Sequence, residues 1–485
     1  MTRFQPEDAR NLEKAWIRDR ALATVPLDAV SESAFGYAIR LASLCNVYPA
    51  NGAPVAVASR LDDYRDRLLS LMRKLAKTPW HYPETDAWHG IGTIAWQGAW
   101  HTASLKAAVP RVTALLREGL DAIAALCDPE RDLRTKKLVL ALGGGGGTGF
   151  AHLCLFQWLE ELDIRPALIT GTSSGAIFGF VRALQDHYDA AMTTLKLPGF
   201  WGIARHAMPC FGTGKHGLMG MCRVDFTDLL FAAAHTFGYD APPGFHELRI
   251  PFACISSGIL RKDDLSRQIE VNGNNPLRAL FALTRITWNK TMLHAASLAR
   301  LILSSDAVCP VTFGFDDLTR TMTAADAVSF SMLVPGVFNF ELPANRYRSR
   351  EILDAIFRRD QLYRLCDGGL ASNVPMRAAK AEVMRGRIGQ ENAYFLGLDV
   401  FAPQKTDGIF YPLQQIANIN ALEDARHADA FVRLQYLLAP VNLFPSLSKL
   451  RWLNTHFRRT FADEMRIVQY ATKPLQPLDR VLARD

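Results

Sequence analysis

Apolar positions change their period along this chain, and the change divides it. Between residues 59 and 77, Leu61, Tyr64, Leu68, Leu71, Met72 and Leu75 recur at helical spacing, which predicts a helix with one core-facing stripe. A second helix is expected to open after Pro110, where RVTALLREGLDAIAALC is built of good helix formers. Between them lies a Trp- and His-rich piece, TPWHYPETDAWHGIGTIAWQGAW. Residues 1–135 therefore read as a mostly helical N-terminal region. From Lys136 the pattern shortens to a buried-type apolar run (LVLAL, 138–142), a glycine loop, a helix, a second apolar run (ALIT), a tight turn and another helix (AIFGFVRAL). That βαβα order predicts an α/β layer with a parallel sheet, and a ligand site at the carboxyl ends of its strands. Further strands are expected at 249–259 and 393–400, while residues 186–245, with CFGTGKHGLMG, read as a lid-like insertion. Residues 404–485 turn helical and more basic, with Lys449, Arg451, Arg458 and Arg459 close together.

Composition narrows the class. The 485 residues exceed one ordinary core of ~100–200 residues, so additions to a catalytic layer or several domains are expected. Hydrophobic residues at 49% and charged residues at 21% suit a globular chain. Fifty-five Lys and Arg against 48 Asp and Glu give a net charge of +7, spread without a run of five, which suits an anionic membrane surface and marks no nucleic-acid partner. The N-terminal residues mix both charge signs where an export signal needs ~7–15 apolar residues, and no stretch approaches the ~20 that span a bilayer. The expected location is cytoplasmic or peripheral to a membrane, without a Sec signal peptide or transmembrane helix. Eight cysteines form no Cys-x-x-Cys pair and read as buried thiols. His81, His89 and His101 have no compact metal spacing, so neither metal nor cofactor is expected.

Residues 143–147 are five consecutive glycines, followed by Thr148 and Gly149, between a strand and a helix. Such a loop leaves backbone N–H groups free to face an anion. Read as Gly144-x-Gly146-x-x-Gly149 it fits a dinucleotide fingerprint, but the second strand ends without the carboxylate that holds a ribose. A phosphate-binding Walker loop fails because Phe150, not Lys, follows Gly149.

The second strand runs into Gly171, Thr172, Ser173, Ser174 and Gly175, a G-x-S-x-G pattern at a strand-to-helix turn. Small neighbours allow the central side chain to sit exposed at a helix start, which makes Ser173 the nucleophile candidate rather than an ordinary N-cap. A serine needs a base and a place for the oxyanion. The glycine loop answers the second need. For the first, Asp367, followed by Gly368 and Gly369, stands out, although the same residues also suit a simple Asx turn.

Together these segments resemble the patatin-like phospholipase family. LVLALGGGGGTGFAHL resembles its strand and oxyanion loop, GTSSGAIFG its nucleophile elbow, and CDGGLASNVPMRAA its Asp-Gly-Gly segment. FHELRIPFACISSGI and FSMLVPGVFNF resemble two intervening segments, so the likeness covers about residues 136–400 with gaps. It implies a three-layer α/β/α sandwich over residues 136–403, carrying helical N- and C-terminal additions. It further implies a Ser-Asp dyad without histidine: Ser173 as nucleophile, Asp367 as base, and an oxyanion hole drawn from Gly144, Gly145, Gly146, Gly147 and Gly149. Gly171 and Gly175 would shape the elbow, and His152 would be structural. The expected activity is hydrolysis of fatty acyl esters from phospholipids or lysophospholipids through an acyl-serine. A neutral-lipid lipase, an acyltransferase and a catalytically silent scaffold are the alternatives. Thr148 stands where the family usually has Arg or Lys. In the insertion, Phe200, Trp201, Met208 and Phe211 would face lipid or pack as core.

Overall fold

The computed structural model describes residues 3–49, 53–83, 92–190, 208–209, 215–218, 220–223, 226–262, 307–403, 411–434 and 446–483. Its centre is an eight-stranded sheet. In chain order the strands are β1 (Gly92–Ile94), β2 (Lys137–Leu142), β3 (Leu168–Thr172), β4 (Phe252–Leu260), β5 (Val308–Phe313), β6 (Leu362–Cys366), β7 (Ala393–Asp399) and β8 (Ala430–Arg433). Their spatial order is β5-β4-β3-β2-β7-β8-β1, with β6 also paired to β4. The five strands from β4 to β8 in that order are parallel, while β1, β5 and β6 add antiparallel pairs.

Alternation along β2 explains the layers. Leu138, Leu140 and Leu142 join the large core, together with the helices that follow the glycine loop and the serine turn. Val139 packs from the other face with Ala379 and Val383, and Ala141 with Met376, Ala421 and Ala425. A strand buried on both faces reads as a continuous apolar run because each face meets helices. The sheet is thus flanked by helices on both sides, a mostly parallel α/β/α sandwich.

The terminal regions are built into this layer. Strand β1 comes from the N-terminal region and β8 from the C-terminal one, so the sheet is completed by segments read from sequence as helical additions. Helix α1 (Pro6–Ala21) lies at the amino ends of the strands, where Glu13 pairs with Lys136 at 2.8 Å and Arg10 with Glu391 at 3.2 Å. One contiguous core runs from Ala9 to Val481. The helix expected to open after Pro110 is α2 (Thr102–Asp121), which opens eight residues earlier and carries Pro110 inside it. Pro110 and Lys106, whose carbonyl loses its helical donor, are both exposed, so water can satisfy that oxygen. The Trp- and His-rich piece is not a simple connection: Ala76–His81 and Gln97–Trp100 pair as antiparallel strands, and Trp100 stacks edge-on against Trp16 at 5.6 Å. His81 and His101 are exposed, while His89 lies outside the described residues. Among the described residues, no cluster of three or more His, Cys, Asp or Glu side chains is placed to hold a metal, and no helix is long and apolar enough to cross a membrane.

Much of the segment read as a lid, including Phe200, Trp201 and Phe211, lies outside the described residues, as does the side chain of Met208. Its described part includes Gly220–Arg223, which pairs in parallel with Gly336–Asn339 in a small three-stranded sheet.

Candidate active site

Strand β4 explains how two residues 194 positions apart come together. It is nine residues long, and its two halves use the same edge differently. Phe252 to Ile255 pair in parallel with β3, ending at Ile255 opposite Thr172. Ser257 to Leu260 pair antiparallel with β6, beginning at Ser257 opposite Cys366. The carboxyl ends of β3 and β6 therefore meet head-on across Ser256. The next residue of each strand is Ser173 and Asp367.

Ser173 holds the backbone at φ 52° and ψ −125°, a left-handed region that a residue with a side chain occupies at a cost of about 1–3 kcal/mol. Its surroundings fix that geometry. The Ser173 N–H donates to Ser331 Oγ at 2.9 Å, and Ser331 Oγ donates to the Ile255 carbonyl at 2.5 Å. The chain leaves Ser173 as α4 (Ser174–Ala183), the helix after α3 (Ala151–Glu161). Although Ser173 occupies the N-cap position, its side chain caps nothing. Its hydroxyl instead lies near enough to the Asp367 carboxyl to lower that group's pKa. Ser174 packs beneath Gly149, where a built Cβ would stand 2.6 Å from its Oγ.

Asp367 sits in a loop stitched to the strands on either side. Its N–H donates to Leu333 O at 2.8 Å, and its own carbonyl accepts from Ser257 Oγ at 2.8 Å. Gly369 N–H donates to its carboxyl at 2.8 Å, so the Asx-type turn is present as well as the contact to Ser173. Burial pushes the Asp367 pKa up to about 6, against the lowering effect of nearby Ser173 and of the Gly369 N–H. Further along the same loop, Thr172 Oγ1 donates to Ser372 O at 3.0 Å, and Ser372 Oγ donates to buried Asp424 at 2.6 Å. Asp424 also accepts from Arg377 Nε at 3.1 Å.

The five candidate oxyanion glycines divide by what their backbones do. Gly144, expected in the oxyanion hole, donates its N–H to Asn373 O at 3.3 Å. Gly144 serves by absence of a side chain, since a Cβ there would lie 2.7 Å from Ser173 Cβ. Gly149 likewise makes room for Ser174. The N–H groups of Gly145, Gly146 and Gly147, at the start of the 3-10 turn Gly146–Phe150, have no acceptor among the described residues. Such amides beside a serine hydroxyl can receive developing negative charge. Thr148 folds back, donating from Oγ1 to Gly145 O at 2.7 Å, and brings no charge to the loop.

His152 is fully buried and donates from Nε2 to Gly143 O at 2.9 Å. Burial lowers its pKa to about 4, so it stays neutral and braces the loop. Because this pKa lies below the unfolded value of 6.5, the stability that neutral His152 confers is lost as pH falls from 6.5 to about 4. His152→Ala should cost about 2–4 kcal/mol, from a cavity and an unpartnered carbonyl, and should flatten this part of the pH dependence in denaturant titrations. An unchanged profile would contradict the role.

Sequence reading missed Ser331, Ser257, Asn373 and Asp424. Ser331 and Ser257 lie in segments noted for their order alone, and Asp424 is on a helix, Tyr411–Ala425, that carries no motif. Asn373 is 3% exposed, and its Nδ2 has no hydrogen-bond partner among the described residues.

The meeting strand ends thus bring Ser173 beside Asp367 and beside Gly144 of the glycine loop. Residues 140–380 match the family model of the patatin-like phospholipases, and the chain carries a domain of that family. The family is one of lipid acyl hydrolases. No curated protein matches the chain.

Proposed function

We propose that this protein hydrolyses fatty acyl esters of phospholipids or lysophospholipids, with Ser173 as nucleophile and Asp367 as its base. The observation that carries the reading is a buried serine in a left-handed conformation set, by the meeting of two strand ends, beside an aspartate whose pKa burial raises to about 6. As Ser173 Oγ attacks the ester carbonyl carbon, Asp367 takes the hydroxyl proton. The N–H groups of Gly145, Gly146 and Gly147 hold the oxyanion. When the tetrahedral species collapses, the ester C–O bond breaks and the departing alcohol takes the proton from Asp367. Water then attacks the acyl-serine while Asp367 accepts its proton, releasing the fatty acid and returning that proton to Ser173 Oγ. Histidine has no step in this scheme, which fits a buried, neutral His152 committed to Gly143.

A fluorophosphonate that phosphorylates activated serines tests the reading. The adduct is expected on Ser173, located by peptide mass spectrometry. Its rate should rise with pH to a plateau, with a midpoint near 6, because Asp367 accepts a proton only when ionised. Labelling elsewhere, or a rate indifferent to pH across that range, would contradict it.

A further inference from the structure

The four basic residues gathered in the C-terminal region are not equivalent once folded. They lie on α5 (Leu447–Thr460), which packs on α3 through buried Leu453 and Phe457. Phe457 meets Trp158 edge-on at 6.2 Å, and Asn454 Nδ2 donates to Gln157 Oε1 at 3.1 Å. Arg458 belongs to that inner seam, forking onto Glu161 with two bonds of 2.6 Å. Lys449, Arg451 and Arg459 are exposed, and among the described residues none has an acidic partner within ion-pair distance.

Between these three cations stands Trp452, 51% exposed, its ring stacked on His456 at 5.3 Å. Lys449, Trp452, His456 and Arg459 follow one another at three- and four-residue steps, so they form one outward stripe about 15 Å long. A large aromatic side chain with a polar N–H, flanked by unpaired cations, fits the boundary between lipid headgroups and acyl chains. The contacts of Asn454 with Gln157 and of Arg458 with Glu161 show that α5 runs in the same direction as α3. Helix α3 begins directly after the glycine loop. The end of α5 bearing Lys449, Arg451 and Trp452 therefore lies toward the serine end of the sheet.

We propose that this face of α5 docks the protein on an anionic phospholipid bilayer, with Trp452 at the headgroup level and Lys449, Arg451 and Arg459 against the lipid charge. Its purpose rests on the lipid-hydrolase reading; its test does not. The probe is a vesicle of ether-linked phosphatidylcholine, with or without ether-linked phosphatidylglycerol, which has no acyl ester to cleave. The full chain should co-sediment with the anionic vesicles far more than with the neutral ones. A variant carrying Lys449→Gln, Arg451→Gln and Arg459→Gln should bind roughly a hundredfold more weakly, about fivefold for each cation removed. Tryptophan quenching by brominated lipid should fall in Trp452→Phe. These side chains are outside the core, so thermal unfolding and turnover of a water-soluble short-chain ester should match wild type. Loss of ester turnover in every form would undo the hydrolase reading and leave the vesicle result standing. Equal binding to neutral and anionic vesicles, unchanged binding by the triple variant, or capture by heparin beads without vesicle binding would overturn the docking proposal.

Discussion

Asp367→Asn is expected to lower ester turnover by roughly 10⁴-fold and, at the same time, to make the protein more stable at neutral pH. The two effects share one cause. The carboxyl is desolvated where the ends of β3 and β6 meet along β4, and its pKa rises from 3.8 to about 6. Above that pH the folded state holds a carboxylate that the unfolded chain would solvate better, a penalty of up to about 3 kcal/mol. The sign follows from proton uptake. Between 3.8 and about 6 the folded state binds the proton more tightly, so this residue's contribution to stability falls as pH rises through that window. The amide carries no charge and removes that penalty, while it also removes the base. Urea titrations at neutral and acid pH should therefore show a stabilised variant at neutral pH, with the difference vanishing well below 3.8. An Asn variant that is less stable at neutral pH would show that the carboxylate is better compensated than its burial indicates.

Gly175→Ala is expected to be the most damaging single methyl group near the site. A Cβ on Gly175 would fall onto the carbonyl oxygen of Leu142 and within 2.7 Å of that of Gly143, at the end of β2 where the glycine loop begins. Neither is the mobile tip of a side chain, so relief requires α4 to move away from β2, and Ser173 with it. The cost should reach or exceed the top of the ~1–3 kcal/mol range for overpacking, read as a lowered unfolding midpoint and weak or absent labelling of Ser173. Wild-type stability in this variant would mean that the elbow does not press against β2 as described.

The parallel centre of the sheet was legible because strands buried on both faces carry apolar runs, as at 138–142 and 393–398. The strands that complete it were not. β1 has three residues and β8 four, too few to establish a period, and β6 interrupts its apolar run with Arg364. Pro110 reads as a helix start because its first-turn preference is strong, whereas its exposure in the folded chain lets the helix continue through it. At the site, Ser173 and Asp367 were legible through the glycines around them, since sharp turns and close backbone contacts restrict the residue type. What brings them together was hidden, because it depends on β4 being long enough to pair with two strands along one edge. The supports from Ser331, Asn373 and Asp424 are single polar residues acting over long sequence distances, and nothing local distinguishes them from other serines, asparagines and aspartates. The difference among the glycines was equally hidden: the pairing of Gly144 with Asn373 separates its amide from those of Gly145, Gly146 and Gly147, which have no acceptor among the described residues.

The most direct test of the account is fatty-acid release from mixed phospholipid vesicles by the wild-type protein and by Ser173→Ala, with products identified by mass spectrometry and folding checked by circular dichroism. The account predicts free fatty acid and lysophospholipid from wild type and none above background from the folded variant. Equal release by both proteins, or none from either, would contradict it.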